Sequence, residues 1–197
     1  MFANRFTAVV DACVLFSPLK RNLILSLAEA ELFRIRWSEE ILDETQSATK
    51  QYLTGKGCTD ADDRAIRART SMEKAFVDAL VCDYDTVAEG LNGLPDEKDR
   101  HVIAAAIKCR SDIIVTENLK DFPPEILDPF HLEAKCSDDF IADTIDLNLG
   151  VAISAIRRMR LRLKKPEMTP EALLLEIEKH GLTQTADQLR DCLALLE

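Results

Sequence analysis

Four acids, far apart in the chain, stand where a carboxylate could do chemistry. Asp11 closes the β-branched run Thr7-Ala8-Val9-Val10, and Asp121 lies in the loop after Ile113-Ile114-Val115, three residues beyond Asn118. In an open parallel sheet, ligands bind outside the carboxyl ends of the strands, and both acids fall at such ends. Asp99 sits in the first turn of a helix opened by Asp96. At about 100° per residue, Val102, Ile103, Ala106 and Ile107 fall within roughly 80° of Asp99 on the helical wheel. This carboxylate therefore heads an apolar stripe, where leaving it unpaired costs free energy. Glu44 borders the apolar arc formed by Ile41, Leu42, Thr45, Ala48, Thr49 and Tyr52, while Glu39 and Asp43 point away from it. Acids brought together raise each other's pKa unless a cation sits among them. Oxygen-only ligation selects hard ions, Mg²⁺ or Mn²⁺. Such an ion can polarise a phosphodiester and lower the pKa of a water, so no side-chain nucleophile is needed. The chain carries no GxSxG elbow, P-loop or GxGxxG to offer another chemistry.

These acids can meet only on a scaffold that gathers distant segments. Thr7 to Asp11 reads as a buried strand. Ser17-Pro18 supplies an N-cap and a proline at the first helical position, opening a helix to about Leu32. Phe33 to Trp37 alternates like a strand. Ser38 caps a second helix ending near Gly55, and a third, more polar helix runs from Thr59 to about Val77. Residues 78–96 hold a short strand candidate and the loop Gly90 to Pro95. The Asp96 helix runs to Arg110, and Asp112 to Thr116 is a compact strand. Strands alternating with helices imply right-handed crossovers and a parallel sheet covered by helices. After about Lys135 the strand signals stop. Three helical stretches are expected there: one from Ser137 to the basic run, one from Thr169-Pro170-Glu171 to Gly181, and one from Thr183 or Thr185. The expectation is an α/β fold over residues 1–135 and an all-helical extension over 136–197.

With 197 residues, 47% of them hydrophobic and 30% charged, the chain has the composition of a soluble globular protein. Its apolar runs are too short to span a bilayer, and its first residues read as a buried strand rather than a signal peptide. Six scattered cysteines, without a CxxC pair, fit reduced thiols in a cytoplasmic protein better than a zinc site or a disulfide framework. His101, His131 and His180 form no cluster and read as structural, and Trp37 and the phenylalanines as core. A net charge of −10 argues against nucleic-acid binding by overall attraction. The run Arg157 to Lys165 is nonetheless densely basic and could supply phosphate contacts, or pair with acids elsewhere.

The segments VVDACVLFSP, WSEEILDE, LPDEKDRHVIAAAI and DIIVTENLKDFP resemble, in order and spacing, the four signatures of PIN-domain ribonucleases. They are most similar to the toxin components of bacterial VapBC-type toxin–antitoxin pairs. The resemblance covers roughly residues 6–130. It implies a PIN fold, Mg²⁺-dependent cleavage of RNA, and control by a small protein antitoxin that covers or disturbs the acidic pocket. Position by position, Asp11, Glu44 and Asp99 match the first three acids. Where many PIN proteins carry an acid two residues after the strand-end threonine, this chain has Asn118, leaving Asp121 as the fourth acid. The expected catalytic set is Asp11, Glu44, Asp99 and Asp121, with Asp11, Asp99 and Asp121 on the metal. Thr116, Asn118, Arg157, Arg158 and Arg160 are expected to contact substrate. The number of ions and the formation of a homodimer stay open, and no membrane is involved. Two other readings compete: a PIN-like binding module with a degenerate site, and an aspartate-nucleophile phosphohydrolase. The second is weakened because Cys13 stands where such enzymes carry another Asp.

Overall fold

The computed structural model describes residues 6–164 and 167–197; Arg5 of the opening segment and Lys165 of the basic run lie outside them. The chain opens with β1 (Thr7–Val10), the short helix α1 (Ala12–Leu15), α2 (Pro18–Glu29) and β2 (Arg34–Arg36). Next come α3 (Glu39–Gly55), α4 (Ala61–Ala75) and α5 (Asp85–Gly90). A 3₁₀ turn, Glu97–Asp99, leads into α6 (Arg100–Lys108), which is followed by β3 (Ile113–Val115), α7 (Pro124–Leu127) and β4 (Glu133–Lys135). The remainder is helical: α8 (Ser137–Leu147), α9 (Leu149–Arg162), α10 (Pro170–Lys179) and α11 (Thr183–Asp191).

The four strands form one parallel sheet in the order β2-β1-β3-β4. β1 is central and wholly buried, as its unbroken apolar run requires. Its register pairs Val10 with Val115, so both strands end side by side and their following residues, Asp11 and Thr116, emerge together. The apolar face of α6, including Val102, Ile103 and Ala106, is fully buried and packs on β1 and β3, which sets Asp99 at the sheet mouth. α3 starts where expected: the Ser38 hydroxyl accepts the Ile41 N–H at 3.2 Å, and Glu39 and Glu40 face the positive end of the helix dipole.

Packing divides the chain into two compact units. One comprises Phe6–Ser17 and Arg34–Lys135, and holds the whole sheet. The other joins Pro18–Phe33 to Cys136–Glu197, whereas a single cut after Lys135 would leave α2 with the sheet. Within that second unit α2 packs along α8 and α9, Phe33 meets Phe140 edge-on with ring centroids 4.9 Å apart, and Arg162 pairs with Glu29 at 2.9 Å. Asp138, buried at the start of α8, accepts the backbone N–H groups of Gln184 and Thr185, each at 2.9 Å, and so caps α11.

Three local expectations are corrected. β4 was not anticipated because Glu133-Ala134-Lys135 is short and polar, a composition tolerated on an edge strand. The cap of α8 is Cys136, whose sulfur accepts the Asp139 N–H at 3.4 Å, with Ser137 already helical. The single helix expected from Ser137 to the basic run is broken at Asn148. That residue leaves helical geometry (φ −160°, ψ 87°), and its side chain accepts the Val151 N–H at 3.2 Å to start α9.

Candidate active site

Asp11 occupies the N-cap position of α1 without using its side chain as a cap. Its N–H donates to Val115 O at 2.9 Å, which locks the strand end, and its carboxylate is buried. Oδ2 instead accepts from Thr116 Oγ1 at 2.7 Å and from Cys13 Sγ at 3.0 Å. Thr116 is wholly buried, and its hydroxyl also accepts the Asn118 N–H at 3.1 Å. It was expected to touch substrate; a side chain with no exposed surface instead orients Asp11. The Cys13 thiol, pushed up to about 12 by burial and then by the adjacent Asp11 charge, stays protonated and able to donate.

The third signature places two acids with different duties. Asp96 caps the 3₁₀ turn by accepting the Lys98 N–H at 2.9 Å. Asp99, at the start of α6, makes no capping bond. Its pKa is pushed up from 3.8 to about 6, first by burial, then by the charges of Asp11, Asp96 and Asp121, with His101 pulling weakly the other way. Asp99 therefore lies within the fields of Asp11, Asp96 and Asp121. Asp121 ends a 3₁₀ turn after β3, its N–H donating to Asn118 O at 2.9 Å, and Asn118 itself is exposed.

Glu44 stands exposed on α3, with Oε2 3.5 Å from His101 Nε2. That is an ion-pair distance, longer than a good hydrogen bond. The other ring nitrogen, Nδ1, lies 2.7 Å from Lys98 O, so it carries the proton and Nε2 faces the carboxylate. Burial works to lower the His101 pKa, but Glu44, together with the Lys98 carbonyl and the Glu40 charge, outweighs it and the pKa is raised. Glu44 is thus linked to the acidic cluster through His101, a residue read from sequence as merely structural. Its place two residues after Asp99 was the available signal, as was that of Cys13 two residues after Asp11.

The arginines of the basic run divide. Arg157 and Arg158 are exposed on α9, Arg158 donating to Ser154 Oγ at 2.8 Å. Arg160 donates to the backbone oxygens of Leu196, Met168 and Glu197, each at 2.8 Å. Its guanidinium ties the end of the chain to α9, in place of the phosphate contact expected of it.

Among the described residues no three His, Cys, Asp or Glu side chains are grouped closely enough to hold a metal ion. Mg²⁺ does not demand such a cage: it usually keeps several waters and takes one or two carboxylates, with substrate phosphates completing the shell. The residues present fit that demand. They are oxygen donors, and burial followed by the charges of Asp11, Asp96 and Asp121 already drives Asp99 toward its neutral form.

A four-stranded parallel sheet flanked by helices, with acids following β1 and β3, is an α/β fold of the PIN type, and the sequence comparisons agree. The family described as "PIN domain" matches residues 7–120, more than half of the 197, and the chain belongs to that family. A second family, "VapC50 C-terminal domain", matches residues 137–191. Among curated proteins, "Putative ribonuclease VapC50" of Mycobacterium tuberculosis is 36% identical over 107 residues, 54% of this chain and 62% of that protein. The match thus spans less than two thirds of the relative's length. No solved structure matches.

Proposed function

We propose that the chain is a divalent-metal-dependent endoribonuclease, the toxin of a toxin–antitoxin pair, acting at Asp11, Asp99 and Asp121. The observation that carries this reading is that β1 and β3 end in register, so that Asp11 and the segment from Thr116 to Asp121 emerge together, beside an Asp99 carboxyl raised to about 6 by burial and by the charges of Asp11, Asp96 and Asp121. A site built of repelling carboxylates at a sheet mouth is poised for a cation. The name of the relative, a ribonuclease, supports RNA as the substrate class.

Asp11 and Asp99 would hold Mg²⁺ or Mn²⁺, with Asp121 and Asn118 completing the shell directly or through water. When bound, the ion neutralises phosphodiester charge and eases ionisation of a water. Glu44, held beside His101, orients a water for in-line attack. Arg157 and Arg158 supply phosphate contacts, which position RNA without reading its sequence. A small antitoxin covering the acidic pocket would be the regulating partner, with a homodimer as a compatible assembly. The cytoplasm is the compartment this function implies. Among the described residues no helix is long and apolar enough to cross a membrane.

The test is cleavage of RNA by Asp11→Asn and Asp99→Asn variants in Mg²⁺ or Mn²⁺, with circular dichroism to verify folding. Loss of cleavage in both, with the fold retained, is expected; undiminished activity in both overturns the reading. A second reading, a PIN-like binding module without catalysis, is favoured by Asn118 standing at an acid position and by the lack of a three-donor group among the described residues. A wild-type chain that neither binds Mn²⁺ nor cuts RNA would select it.

A further inference from the structure

Asp11 stands at a position where an aspartate ordinarily turns its carboxylate onto the first amides of the helix that follows. Here it does not, because Oδ2 is held by two donors from either side: Thr116 Oγ1 at 2.7 Å and Cys13 Sγ at 3.0 Å. Oδ1 receives none from the described residues. Cys13 also reaches across to the other strand end. Its sulfur lies 3.3 Å from Thr116 Oγ1 and accepts the Glu117 N–H at 3.2 Å. A thiol can donate through S–H while accepting at sulfur, so one side chain serves both strand ends. Thr116 in turn accepts the Asn118 N–H at 3.1 Å, and the Asn118 carbonyl accepts the Asp121 N–H at 2.9 Å. A continuous chain of hydrogen bonds therefore runs from Asp11 through Cys13 and Thr116 to the segment bearing Asn118 and Asp121.

We propose that Cys13 is a positioning residue. Its thiol holds Asp11 away from the α1 amides and ties it to the loop after β3, so that Oδ1 is the oxygen presented to the cation. The inference rests on the metal-dependent reading above and adds to it a residue-level cause for the geometry of Asp11. Without the thiol, one of the two donors on Oδ2 is gone and the Glu117 amide loses its acceptor. The carboxylate can then rotate into the capping position that local chemistry favours.

The experiment is a Mn²⁺ titration of the full chain, stripped of metal, followed by the paramagnetic resonance of free Mn²⁺. Cys13→Val fills the space without a donor or acceptor; Cys13→Ser restores both. Loss of an outer-shell partner typically weakens metal affinity about 10- to 100-fold, and that loss is expected for Cys13→Val. Cys13→Ser should return the affinity close to the wild-type value, a rescue that a purely space-filling role would not give. Should Cys13→Val fail to fold by circular dichroism, Cys13→Ala takes its place in the same titration. Wild-type binding of Mn²⁺ with equal binding by the Val or Ala variant overturns the positioning role and leaves the metal reading intact. Absence of Mn²⁺ binding by the wild type overturns the metal reading and the inference with it.

Discussion

Replacing Asp99 by Asn should stabilise the metal-free protein while destroying the site the residue serves. The folded chain raises this carboxyl from 3.8 to about 6, burial contributing most and Asp11, Asp96 and Asp121 the rest. Between those values the folded protein keeps a proton that the unfolded chain has released. Stability therefore falls as pH rises through this window, and the full penalty stands above about pH 6. A shift of roughly 2 units corresponds to about 3 kcal/mol at 1.36 kcal/mol per unit. Asp99 is only part-buried, and solvent screening reduces this to about 1–2 kcal/mol. Removing a negative charge from the start of α6 gives back about 0.5 kcal/mol. No capping bond is lost, since the Asp99 side chain makes none. The net gain is about 1 kcal/mol, or roughly 2–4 °C in Tm for a chain of this size. Thermal unfolding in EDTA at pH 7.5 and again near pH 4 measures it: Asp99→Asn should melt higher at pH 7.5 and lose most of that advantage at the lower pH. Saturating Mn²⁺ should then reverse the order. An ion at 100 times its Kd adds about 2.7 kcal/mol to a protein that binds it and little to one that does not. A variant that melts with or below the wild type at pH 7.5 in EDTA would refute the reasoning, because Asp99 would then not be a charge held at a cost.

Thr116→Val keeps the volume of a fully buried side chain but removes the hydroxyl on Asp11. RNA cleavage should fall about 10- to 100-fold, and urea unfolding should show a loss of about 1.5–3 kcal/mol. The exposed pair Arg157 and Arg158, both changed to Glu, should weaken RNA binding and flatten its salt dependence. Removing two phosphate contacts lowers the slope of log K against log salt by about 1.4 for single-stranded RNA, and an unchanged slope would exclude these residues from the interface. Arg160→Ala should behave in the opposite way. It loses three bonds to backbone oxygens and about 2–3 kcal/mol of stability, with the salt slope unchanged in a filter-binding assay.

The fold was legible wherever one signal dominated a segment. β1 and β3 are short runs rich in β-branched residues, α3 has a serine cap, and α10 has Thr169 with Pro170 behind it; each formed where its residues direct. What escaped was decided by partners rather than by local pattern. β4 is a strand because β3 offers a free edge, with Glu133 N donating to Asp112 O at 3.1 Å, and nothing in Glu133-Ala134-Lys135 favours extension. α2 reads as the helix after a first strand, but its buried residues pack with α8 and α9, a preference that amphipathic spacing cannot reveal. At Asn148 the competition between helix and side-chain cap is local, and one asparagine inside a helical stretch did not mark the break.

At the candidate site, aspartates in the same local position are put to different uses. Asp11, Asp96 and Asp99 all stand at the start of a helical turn, as aspartate prefers. Asp96 behaves as that preference dictates and accepts a backbone N–H. Asp11 and Asp99 leave the first amides of α1 and α6 without a side-chain cap, and the Asp11 charge adds to the burial that makes the Asp99 charge costly. Two forgone caps and a repulsion among aspartates are features that stability alone would remove. Their persistence, with Asp11 held by Thr116 and Cys13, fits the proposed cation site. Strand-end position located Asp11 and the apolar stripe located Asp99, whereas the preference of aspartate for helix starts fits only the use made of Asp96.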